Sequence, residues 1–144
     1  MRRRGALAAL LLLAACVAPA RSFETYEGKA ADTAEAVGSA VETARLAVSI
    51  AQQGRASAPY LSVVLAEAEQ GAGGPGDIFG TIQPPDQASA RLRSELLALV
   101  TRARSTLADL RIAVRWGELA RLPDIARPLR SLSEQLTSFA EEHG

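Results

Sequence analysis

Cysteine, histidine and lysine occur once each in this chain of 144 residues, as Cys16, His143 and Lys29. A single cysteine cannot close a disulfide within the chain, and a metal site needs several Cys, His or carboxylate ligands that converge. The lone histidine sits in an "EEHG" tail that is expected to fray. That leaves no parts for a Ser-His or Cys-His pair within a core, for a paired Glu-x-x-His dimetal site, or for Cys-x-x-Cys-His haem attachment. Aromatic side chains are also few: Phe23, Phe79, Phe139, Tyr26, Tyr60 and Trp116. They do not suffice for a base-stacking or carbohydrate-binding surface. Strand alternation and internal repeats are absent. No catalytic, metal or cofactor residues are expected, and no cofactor.

Carboxylate-only chemistry needs two acids at a defined separation. Glu24 with Glu27, Asp32 with Glu35, and Glu67 with Glu69 are the available pairs, but each falls on the polar face of a helix, where solvated charges are expected. The glycine-rich "GAGGPG" at 71–76 lacks the Gly-Lys-Ser or Gly-Lys-Thr that completes a phosphate-binding loop, and no strand precedes it.

What is present at the N-terminus is a leader. Arg2, Arg3 and Arg4 form a basic region, Ala6 to Ala15 an apolar one, and small residues follow. An apolar run of about 10 to 14 residues does not span ~30 Å of hydrocarbon as a helix. The segment reads as a secretory signal over 1–15. With disulfide and metal roles excluded, Cys16 has no polar neighbour to lower its pKa as a reactive thiol, since Leu13, Ala14, Ala15, Val17 and Ala18 are apolar.

The order Leu13-Ala14-Ala15-Cys16 resembles the lipobox of bacterial lipoproteins. The resemblance covers about the first sixteen residues and implies cleavage before Cys16 and acylation of its thiol. Ala18-Pro19-Ala20 offers the alternative, an ordinary signal-peptidase site releasing a soluble chain from Arg21. On the lipoprotein reading, 16–22 is the lipidated tether, of which Val17 to Ser22 spans at most about 20 Å, and 23–144 is one domain.

From Cys16 onward the chain carries 13 basic and 16 acidic side chains, a balance that excludes a nucleic-acid binder. Residues 21–88 hold 4 basic and 9 acidic groups, and 89–144 hold 9 and 7. An intramolecular fit of acidic to basic parts is the simplest expectation.

Helical periodicity dominates the domain. Ala30, Ala34, Val37, Val41, Ala44, Val48 and Ala51 follow steps of four and three over 24–53. Gly54 stops that helix, and Ser57 with Pro59 opens a second, expected to be short and to end near Gln70. The stretch "GAGGPGDIFGTIQPPD", 71–86, is expected to be a long loop. A third helix over 86–116 aligns Leu92, Leu96, Leu99, Ala103, Leu107, Leu110 and Val114, with Gly117 as its stop. A fourth aligns Leu122, Ile125, Leu129, Leu132, Leu136 and Phe139, with Pro123 at its start and Pro128 within it. The expected fold is all-α, an up-down-up-down four-helix bundle with a short second helix and a long Gly/Pro-rich loop.

Three surface features follow. Arg93, Arg104, Arg111 and Arg115 fall within roughly 40° of arc on the third helix. They form either a stripe for an anionic partner or a row pairing with Glu35, Glu42, Glu67 or Glu69. Ile78, Phe79 and Ile82 form a flap over the half-bundle that a short second helix leaves open, either gating an apolar slot or packed as core. Trp116 and Arg121, with Arg115 and Gly117, form a corner that either contacts a partner or caps the bundle.

The expectation is a non-catalytic, extracytoplasmic lipoprotein anchored to the bacterial cell membrane, acting as a binding or accessory component toward a protein or cell-wall partner. The alternative is a soluble, secreted or periplasmic carrier or sensor of a small hydrophobic ligand.

Overall fold

The structure, a computed structural model, describes residues 22–144. Cys16, the lipobox and both cleavage positions lie outside those residues. Among the described residues four α-helices make up the fold: α1 (Phe23–Gln52), α2 (Ala58–Thr81), α3 (Gln87–Arg115) and α4 (Leu122–His143), the last preceded by a 3₁₀ turn at Leu119–Arg121. Helix α1 packs on α2 and α4, α3 packs on the same two, and α1 meets α3 across the bundle. That is the up-down-up-down arrangement the four seams require.

The chain punctuates its helices with side chains that satisfy exposed backbone groups. Ser22, Ser57 and Asp86 each accept a hydrogen bond from the backbone N–H three residues on, at 3.3, 3.4 and 2.7 Å. The ends of α1 and α3 share one device. Gly54 and Gly117 take φ of +69° and +74°, a left-handed turn in which the following residue bonds back into the last helical turn. Arg55 N–H reaches Ile50 O at 3.1 Å, and Glu118 N–H reaches Ala113 O at 2.9 Å.

The seams are the core. All seven α3 positions are buried, as are six of the seven in α1, with Ala51 half-buried. In α4 Ile125 is half-buried and the other five are buried. Because α1 contributes mostly Ala and Val, its neighbours approach closely, and Leu and Phe from the other helices fill the interior.

The second helix departs from expectation. It does not end near Gln70 but runs through "GAGGPGDIFGT" to Thr81, 24 residues or about 36 Å. The loop is only 82–86. Intrinsic propensity opposes this, at about 1 kcal/mol per interior glycine and about 3 for Pro75. Packing outweighs propensity here. A Cβ on Gly76 would lie 2.5 Å from Cγ1 of Val100, and one on Gly71 would lie 3.4 Å from Cβ of Ala40. Glycine is what lets α2 sit this close to α3. The carbonyl that Pro75 leaves without a donor belongs to Gly71, which is exposed to water.

The flap is corrected with the loop. Phe79 is 1% exposed, on the inner face of α2 with its ring 5.0 Å from that of Tyr26, whereas Ile78 is 69% exposed and Ile82 half-buried. A full-length α2 leaves no open half-bundle for the three to cover. The C-terminus is also more ordered than a frayed tail: His143 ends α4, packs its ring at a tilt against that of Phe139 with centroids 4.6 Å apart, and places Nδ1 2.8 Å from Oε1 of Glu27. The start of α1 and the ends of α2 and α4 therefore meet at one end of the bundle, here called proximal. The Gly54 and Gly117 turns mark the distal end.

Candidate functional site

The arginine row of α3 resolves into neighbours on α2. Arg111 Nε donates to Oε2 of Glu69; that hydrogen bond, with the carboxylate's charge, pushes the guanidinium pKa further up. Arg104 Nη1 lies 2.7 Å from Oδ1 of Asp77, over the gap where Gly73 has no side chain. Arg93 Nη2 donates to the Gly80 carbonyl. Arg115 alone of the four has no carboxylate or carbonyl partner among the described residues.

Of the four acids expected to pair with this row, only Glu69 does so. Glu42 pairs with Arg45 on its own helix, and hydrogen bonds from Arg45 and Ser133 hold its carboxyl below the usual range. Asp77 joins the row because α2 is helical through Thr81, a position that a loop over 71–86 would not give it.

Beneath the proximal end lies a polar cluster that hydrophobic patterning does not reveal. The Tyr26 hydroxyl, Ser89 Oγ and Arg93 Nε are buried without a hydrogen-bonding partner among the described residues. Tyr26 and Arg93 both touch the Phe79–Gly80 step, and Ser89 precedes Arg93 by one turn. Burial raises the Tyr26 phenol pKa, and the Arg93 charge partly offsets that. Among the carboxylate pairs, Glu27 is taken up by His143 and Glu69 by Arg111, while Glu24, Asp32, Glu35 and Glu67 face solvent. Among the described residues no three His, Cys, Asp or Glu side chains gather as a metal site would need, and no helix is long and apolar enough to cross a membrane.

The Trp116 corner is open. Trp116 is 76% exposed at the C-cap of α3, and Ile112, one turn earlier, is 45% exposed. Together with Arg111 and Arg115 they line a shallow concave patch. Leu119 of the 3₁₀ turn is exposed beside the corner, and Arg121 is held by Glu118. Such exposure of a tryptophan is not what a bundle cap would show.

Two properties set this end apart. Of the eight large exposed apolar side chains among the described residues, six (Leu46, Tyr60, Val63, Ile112, Trp116 and Leu119) lie in the distal half, against Phe23 and Ile78 in the proximal half. Charge divides the same way. With each helix cut at its midpoint, the proximal half (22–37, 70–101, 133–144) has 10 acidic and 3 basic groups, and the distal half (38–69, 102–132) has 6 and 9. The acidic-then-basic order along the chain is thus folded partly into an axial polarity, from net −7 to net +3.

Comparison with protein-family models, with curated proteins and with solved structures finds no match for this chain.

Proposed function

We propose that the protein is a non-catalytic lipoprotein, anchored by acyl chains on Cys16 to the outer face of the cell membrane, whose bundle presents its distal end to a partner. The observation that carries this reading is the polarity of the bundle. The chain enters at the proximal end, a tether's length from Cys16, and the exposed apolar residues gather at the opposite end.

The proximal half supports a covalent anchor over an electrostatic one. Juxtamembrane binding to anionic lipid draws on clustered Lys and Arg, whereas this half is net −7 and would be repelled. Acyl chains supply what charge does not, at about 0.8 kcal/mol per buried CH₂, and two or more chains hold stably where one only dwells. The carrier reading draws on a gated slot beneath Phe79. With Phe79 packed against Tyr26 inside a continuous α2, no specific observation favours it.

Fractionation of the producing cell tests the proposal. The wild-type chain is expected in the membrane fraction, resistant to high salt and released by detergent, and Cys16→Ser is expected to leave that fraction. A wild-type chain recovered as a soluble protein, or a Cys16→Ser chain that stays membrane-bound, contradicts the anchor.

A further inference from the structure

The distal end, taken as the binding end, also carries the chemistry of what it binds, an inference that rests on the proposed function. We propose that the patch of Ile112, Arg115 and Trp116 is a docking site for a segment of a partner protein that carries a carboxylate beside a large apolar side chain.

The residue types set the first half of the argument. Trp and Arg are the side chains over-represented where binding energy concentrates, and an exposed aromatic beside a guanidinium offers an apolar anchor and a forked donor together. Ile112 and Trp116 lie one helical turn apart, so their side chains form one apolar strip, and Arg111 and Arg115 flank the hollow beside it. An aliphatic or aromatic side chain would fill the hollow, and a carboxylate would meet the Arg115 fork bidentately.

Charge sets the second half and separates a protein from a polyanionic surface. Although the distal half is net +3, its cations are not a uniform field. Arg111 is already bound by Glu69, and Arg121 by Glu118, within the corner itself. A continuous anionic surface, such as a lipid face or a polymeric wall acid, would press its charge against Glu69, Glu118 and Asp109. A partner with discrete carboxylates can place one at Arg115 and keep clear of those acids. The arrangement also disfavours a basic partner, because the strip's open charge is positive.

Trp116 is the only tryptophan of the chain, so its fluorescence reports the corner directly. The test is selection of a displayed library of random 12-residue peptides on the full processed chain, followed by titration of synthesised winners against Trp116 emission. Winners are expected to carry Asp or Glu close to Leu, Ile, Phe or Trp, and to shift the emission to the blue. Their affinity is expected to fall with salt and to drop severalfold with Arg115→Gln, partly regained with Arg115→Lys; calorimetric titration, which does not need the indole, is expected to show a drop of about tenfold or more with Trp116→Ala. Both positions are exposed, so the variants should keep the wild-type far-ultraviolet circular dichroism; if Trp116→Ala does not, Arg115→Gln carries the test. Enrichment of basic or uncharged peptides, winners indifferent to Arg115→Gln, or no enrichment at all overturns the proposal. So does an equal blue shift on phosphatidylglycerol vesicles, which would assign the corner to lipid. The acyl mass of Cys16 is read separately, so failure here and failure of the anchor are distinct results.

Discussion

Gly76 of α2 and Val100 of α3 approach so closely that a Cβ on the glycine would lie 2.5 Å from the valine Cγ1. The contact explains why a stretch that propensity assigns to a loop is helix. Two substitutions in the same run should therefore have opposite signs. Gly76→Ala is expected to cost about 1–3 kcal/mol through overpacking. Gly80→Ala, in the last turn of α2 at a half-exposed position with nothing beyond its own helix within 4 Å of the new Cβ, is expected to stabilise by about 0.5–1 kcal/mol. Thermal or urea unfolding of the two variants checks the pair. Equal small effects would mean that residues 71–81 are not helical against α3.

Phe79 and Tyr26 test whether the proximal interior is core or gate. Phe79→Ala is expected to cost about 3–5 kcal/mol, lost in one cooperative transition. A nearly unchanged melting temperature would instead mark a movable flap. Tyr26→Phe removes a hydroxyl that is buried without a partner among the described residues. It should therefore be neutral or stabilise by up to about 1 kcal/mol. A marked loss of stability would show that the hydroxyl is bound in the native protein.

The cap of α3 carries a pH dependence of defined sign. The Ser89 backbone N–H, 2.7 Å from Asp86 Oδ1, holds the Asp86 carboxyl below its ordinary value, which is 3.8. A depressed folded pKa contributes stability that is present above the unfolded value and is lost as pH falls through the lower folded one. Asp86→Ala should thus lower the melting temperature at pH 7, with the gap to wild type closing below about pH 4. A gap that persists undiminished at pH 2 would contradict a cap made by the ionised side chain.

Local periodicity makes much of this fold legible. The steps of three and four that align Leu92 to Val114 and Leu122 to Phe139 name core positions that the structure buries, with Ile125 only partly so, and Gly54 and Gly117 stand where the helices stop. What is illegible depends on neighbours far along the chain. No property of "GAGGPG" by itself reveals that Val100, 24 residues on, needs Gly76 to lack a side chain. A loop over 71–86 hides Asp77 as the partner of Arg104 and leaves Phe79 an apparent flap. His143 is hidden for a similar reason: terminal residues fray unless tertiary contacts hold them, and its contacts are Phe139 on its own helix and Glu27 on the first. Trp116 can be named from the sequence but not placed, since a tryptophan at a helix end packs or projects according to what crosses above it.

The mass of the N-terminal peptide from the chain made in its own cell is the most direct test of the account. The anchor predicts a chain beginning at Cys16 and heavier by a thioether-linked diacylglycerol, with or without a further acyl group on the amine. An unmodified chain beginning at Arg21 would contradict it.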